Sequence, residues 1–137
     1  MSQPVILGFD PGSQKCGIAI MGLDRIVCHQ QVVAAEVGLA QIESLRQQFP
    51  ISTIVLGDQT ASKTWKDILS QLPDPPRIML VDERYTSLEA RDRYWQMYPP
   101  TGLAQLMPQA LRTIPRPIDD IVAILLIERY LNRLTGE

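Results

Sequence analysis

Pro4-Val5-Ile6-Leu7-Gly8-Phe9-Asp10-Pro11-Gly12 is the stretch on which the fold turns. Its apolar run is continuous, β-branched at Val5 and Ile6, and ends abruptly in Asp-Pro-Gly. That pattern predicts a buried strand followed by a turn. Outward from it, Cys16 to Met21 reads as a second strand. Gly22-Leu23-Asp24-Arg25 reads as a turn, and Ile26 to Ala34 as a third strand. Three consecutive strands on short turns predict an antiparallel meander.

The period then changes. Val37, Ala40, Ile42, Leu45 and Phe49 fall close to helical spacing within Glu36 to Phe49, and Pro50 ends that helix. Ser52 to Gly57 predicts a buried strand, Thr60 to Leu72 a weaker helix, and Arg77 to Val81 a further strand. Thr86 opens a helix to about Tyr98, and Thr86-Ser87-Leu88-Glu89 matches a capping box. Pro99 to Pro117 carries five prolines and predicts a long loop with one helical turn near Leu103 to Leu106. A loop of that length suggests function, such as a gate beside a site. Asp119 to Leu134 is the last helix, with Gly136 as its end. Right-handed crossovers return strands 4 and 5 parallel to strand 1. The expectation is therefore an α/β domain over residues 1–137: a mixed five-stranded sheet, three strands antiparallel and then two parallel, with helices on both faces.

In that layout strands 1, 4 and 5 end at one edge of the sheet, where ligands of open α/β sheets bind. They end in Asp10, Asp58 and Asp82-Glu83, and the last helix starts with Asp119-Asp120. Clustered carboxylates repel one another unless a cation lies between them, and hard oxygen donors suit Mg²⁺ or Mn²⁺. Two such ions roughly 3.5–4 Å apart would clamp both oxygens of a phosphodiester displacement. Each acid also has a plain structural use. Asp10 can open a turn, Asp58 can cap a helix, Glu83 can pair with Arg84 or Arg91, and Asp119 and Asp120 can complement a helix dipole.

Three collinear segments resemble the YqgF (RuvX) family, related to the Holliday-junction resolvase RuvC. They are Ile6–Gly12 with Gly17-Ile18-Ala19, then Asp82-Glu83-Arg84-Tyr85-Thr86-Ser87 with Ala90, and Ile118-Asp119-Asp120-Ile121-Val122-Ala123 through Leu131. The resemblance implies an RNase H-like fold and a divalent-metal nuclease site with Asp10, Glu83 and Asp119 as catalytic ligands. Asp119 suits the family register better than Asp120. It also implies processing of precursor 16S ribosomal RNA in ribosome biogenesis. The alternatives are Holliday-junction resolution in DNA recombination and repair, or a non-catalytic nucleic-acid-binding relative. The sequence departs from the family after strand 4, where Gly57-Asp58-Gln59 replaces a Gly-Leu-Pro loop. Asp58 stands where RuvC and RNase H place an acid, and so is a further candidate ligand, as is Asp120. RuvC's second acid on the last helix is replaced by Val122.

A net charge of −2 counts against a nucleic-acid partner. With three acids committed to metal, however, 13 basic residues face 12 acidic ones. Residues 77–117 hold six arginines and four acids. Lys15, Arg84, Arg112 and Arg116 are the expected phosphate contacts, with RNA favoured and a DNA junction as the other substrate. Arg91, Arg93, Tyr94, Trp95 and Tyr98 mix cations with rings as single-strand binders do. Their helical spacing favours a core face with a solvated flank. His29 reads as a surface residue, and Cys16 and Cys28 as reduced packing residues. The apolar run Ile121 to Ile127 is too short for a membrane span, and Met1-Ser2-Gln3-Pro4 does not resemble a secretion signal. A cytoplasmic monomer or homodimer is expected. A phosphotransferase of the actin-like and sugar-kinase type also begins with a strand ending in Asp-x-Gly, but would need a duplicated domain and a second such motif.

Overall fold

Strand β1 (Val5–Pro11) lies at the centre of a five-stranded sheet of order β3-β2-β1-β4-β5. The computed structural model describes residues 3–59 and 61–136. β2 (Lys15–Gly22) and β3 (Val27–Ala34) continue from β1 as an antiparallel meander. Arg25, with φ 67°, makes the turn between them, and Asp24 accepts the Ile26 N–H at 3.0 Å. β4 (Ile51–Gly57) pairs parallel with β1, and β5 (Arg77–Val81) parallel with β4. This is the mixed sheet, three antiparallel strands and then two parallel, that the sequence predicts.

The apolar run of β1 is continuous because both faces of the sheet are covered. Leu7 and Phe9 point to one side, into a cluster with Ile18, Ile20, Ile54 and Leu56. Helices α1 (Gly38–Gln48) and α2 (Ser62–Ser70) cover that side through Ile42, Leu45 and Leu69. Ile6 points to the other side, with Ala19, Met21, Val55 and Val81. There α4 (Asp119–Thr135) lies across β1 and β2, and α3 (Thr86–Met97) packs on α4 through Ala90 and Tyr94. Sandwiched between sheet and helix, α4 is buried at every residue from Asp120 to Ile127. Gly136, with φ 78°, ends it as expected.

Three local readings change. Glu36 belongs to a 3₁₀ turn, Ala35–Val37, and α1 starts after it. The expected helix start at Thr60 lies outside the described residues, and α2 begins at Ser62. The capping box does not form: Thr86 is already helical, and its hydroxyl donates backward to the Glu83 carbonyl at 2.8 Å. Glu89 pairs instead with Arg129 at 2.9 Å. The Pro-rich strap holds two 3₁₀ turns, Gly102–Leu106 and Gln109–Leu111. Cys16 is buried, Cys28 is exposed, and both are free thiols. Among the described residues, no helix is long and apolar enough to cross a membrane.

Candidate active site

The acid-bearing edge is built on glycines. Asp10 stands opposite Gly17 in the β1–β2 ladder. Opposed residues of an antiparallel pair share a face, here the α4 face. α4 begins directly above Gly17: a Cβ there would stand 1.9 Å from the Asp119 carbonyl oxygen. At Gly8, two residues before Asp10, a Cβ would stand 2.3 Å from the Ala123 carbonyl oxygen. Bare backbone at both positions lets α4 lie close enough to bring Asp119 beside Asp10.

The same device works on the other flank. Gly57 ends β4 beside β1, and the Glu83 side chain folds over it, with Oε2 only 2.3 Å from where a Cβ would lie. Glu83 follows β5 by two residues, so it shares the α4 face with Val81. Its Oε1 accepts the Gln59 N–H at 2.9 Å, and its own N–H points to Asp58 Oδ1 at 3.4 Å. These crossed contacts tie the loop after β4 to the loop after β5. Asp10 and Glu83 thus share the wall of a cleft of about 410 Å³, completed by the β1–β2 turn and by Trp65. Trp65 meets Phe9 edge-on, at 4.7 Å between ring centroids.

The electrostatics reflect this crowding. The Asp10 carboxyl is pushed up to about 7, first by burial, then by the charges of Asp119 and Glu83. Asp119 and Glu83 are thus the two charges that act on Asp10. Among the described residues no group of three His, Cys, Asp or Glu side chains is gathered into a finished metal cage. Glu83 is turned to the Gln59 N–H instead. The donor set itself fits Mg²⁺ or Mn²⁺: hard oxygens, with a central carboxylate whose charge is disfavoured until a cation joins it.

The remaining predicted site residues divide. Asp58 is exposed at the cleft rim and is not among the charges that raise Asp10. Asp120 faces the protein interior, receiving Arg116 at 3.1 Å and Gln30 at 2.9 Å. Lys15 is exposed at the start of β2, just past the turn that lines the cleft. Arg84 is exposed and holds Asp82 at 2.9 Å. Arg112 and Arg116 are turned onto the protein's own rings, over Trp95 at 5.4 Å and over Tyr94 and Tyr98 at 5.7 and 5.5 Å. Tyr94 is buried, and Arg93 is paired with Glu128 at 2.8 Å. Tyr94 and the half-buried Trp95 thus form a core face, as their spacing suggests, while Tyr98 just past α3 is exposed. Arg129 and Arg133, beside Arg84 and Tyr85 in a neighbouring cleft, were not singled out by the sequence. Their i, i+4 spacing on α4 was the available signal.

The sequence matches no protein-family model and no curated protein. Solved structures do match along its length. RuvC of Thermus thermophilus in complex with a Holliday junction substrate is similar with a TM-score of 0.57 and 16% identity, over 98% of this chain and 97% of that one. Another Thermus thermophilus RuvC structure gives 0.53 and 13% identity, over 96% of each chain. At such identities the likeness speaks for the fold, which is RNase H-like.

Proposed function

We propose that the protein is a divalent-metal-dependent nuclease that hydrolyses phosphodiester bonds in nucleic acid. One observation carries this reading: Asp10, Glu83 and Asp119 share a face at one sheet edge, where burial and then the charges of Asp119 and Glu83 push the Asp10 carboxyl up to about 7. An acid cluster that strains its own central member serves a cation better than it serves packing. Asp10, Glu83 and Asp119 would hold Mg²⁺ or Mn²⁺, with Asp58 within reach of the rim. The ion would supply charge stabilisation for the phosphoryl group and acidify water. The chain's own part is positioning. Gly17 and Gly57 set the flanking carboxylates on either side of Asp10, and the Gln59 N–H orients Glu83; Lys15 and Arg84, both exposed, would meet phosphate oxygens.

The YqgF-like motifs favour RNA, with processing of precursor 16S ribosomal RNA in the cytoplasm as the biological task. The second reading is resolution of a DNA four-way junction. It draws support from the similarity to a RuvC solved on such a junction along nearly the whole chain. Purified protein incubated with 5′-labelled single-stranded RNA, single-stranded DNA and a four-way junction, in Mg²⁺ or Mn²⁺, separates them. Metal-dependent cleavage that vanishes in Asp10→Asn supports the nuclease, and the substrate cut fastest chooses the task. A folded protein that cuts none of the three is a binding module.

A further inference from the structure

Tyr85 has a backbone that its side chain does not favour. With φ 65° and ψ 9° it occupies the left-handed region, which bulky residues rarely enter. The ring gains no burial in return: Tyr85 is 73% exposed. Strain of this kind persists where a function uses the resulting orientation.

Its position suggests the use. The cleft at Asp10 shares Gln59 and Glu83 with a second cleft, which in turn shares Arg84 and Tyr85 with a third. The third runs on to Arg129 and Arg133 at the β5 edge of the sheet. Tyr85 thus stands between the second and third of three adjoining clefts, with carboxylates at one end of the row and guanidinium groups at the other. The third cleft sets three arginines against a single carboxylate, Asp82, which Arg84 holds. Arg129 donates to the Asp82 carbonyl and to Glu89, and Arg133 donates to the Leu80 carbonyl at 3.2 Å. These bonds orient the two guanidinium groups and use a minority of their N–H donors.

A cationic groove interrupted by an exposed aromatic ring is the chemistry that binds a single strand. In a duplex each base already stacks on its neighbours, so no face is offered to a ring. We infer that this groove carries an unpaired strand of nucleic acid, with one base stacked on Tyr85 and the following phosphates on Arg84, Arg129 and Arg133. The inference rests on the nuclease reading for its direction, since the strand leads to Asp10, Glu83 and Asp119. It does not rest on cleavage.

The test is binding in EDTA, where nothing is cut. A 12-nucleotide single strand with a central 2-aminopurine, as RNA and as DNA, is titrated with full-length protein. Anisotropy gives affinity, and 2-aminopurine quenching reports stacking. Tyr85→Ala should weaken binding about 5- to 100-fold and remove the quench, while Tyr85→Phe keeps both. Tyr85→Gly, which removes ring and strain together, should bind as poorly as Tyr85→Ala while its Tm equals or exceeds that of the unmodified protein. Arg133→Gln should lower the slope of log affinity against log salt by about one. A duplex of the same sequence should bind more weakly than either strand. Unchanged affinity in Tyr85→Ala, an equal loss in Tyr85→Phe, or a preference for duplex would each overturn the inference. Because cleavage is scored separately, a protein that binds in this way without cutting keeps the groove and loses the nuclease. One that cuts with Tyr85→Ala binding normally keeps the nuclease and loses the groove.

Discussion

Asp10 is where stability and function pull apart. Its carboxyl titrates near 7 in the folded protein and near 3.8 when unfolded. Between those values the folded state holds a proton that the unfolded state has released. The metal-free protein therefore loses stability as pH rises from 3.8 to about 7, by an amount of order a few kcal/mol, and then levels off. Asp10→Asn should flatten that slope, raise the Tm of the metal-free protein at pH 8, and abolish cleavage. Thermal melts in EDTA across pH 4–8 measure the first two. The flanking glycines should separate in the same spirit. At Gly17 the obstacle is α4 backbone, so Gly17→Ala should cost about 1–3 kcal/mol in denaturant unfolding. At Gly57 the obstacle is the Glu83 side chain, whose carboxylate can swing away but whose Cβ, 2.9 Å off, moves only with its backbone. Gly57→Ala should thus cost less than Gly17→Ala, about 1 kcal/mol in the same measurement, while its cleavage rate falls, since the proposed metal ligand Glu83 is displaced.

At the scale of elements, the strap from Pro99 to Pro117 is held down rather than free. Arg112 and Arg116 fasten it to the rings of α3, and Asp120 at the head of α4 receives Arg116. Asp120 is also bonded to Gln30 of β3 and to the Ile121 N–H. Asp120→Ala should leave Gln30 without its acceptor and Arg116 with only the Pro117 carbonyl, and cost roughly 1–3 kcal/mol in denaturant unfolding. Arg116→Met should change stability more than it changes the salt dependence of nucleic-acid binding. Element types were legible in the sequence wherever pattern and length agreed: the apolar run of β1, the short turns of the meander, and the buried length of α4. The capping box misled because it weighs four residues alone. In the folded chain the Glu83 carbonyl lies near enough to take the Thr86 hydroxyl, and Arg129 takes Glu89. The ring contacts of Arg112 and Arg116 were not legible either, since composition shows charge but not the rings on which it rests.

For the molecule as a whole, the acids at the ends of strands 1 and 5 and at the head of α4 were readable because topology alone brings those ends together. The roles of Gly17 and Gly57 were not readable, because a close approach between elements leaves no trace in local pattern. If the three carboxylates hold a cation, the ion binds only the folded protein and must stabilise it. Millimolar Mg²⁺ or Mn²⁺ should raise Tm at pH 8, and Asp10→Asn should erase that rise without any cleavage being measured. The order of the chain carries a temporal consequence too. Asp119 leaves the ribosome more than a hundred residues after Asp10. At about 5–20 residues per second the interval is roughly 5–20 s. During it the meander can form, but the bare stripe at Gly8 and Gly17 has no helix over it and the acid set is incomplete. If the proposed nuclease acts on RNA, it is harmless to the message that encodes it until α4 has been made.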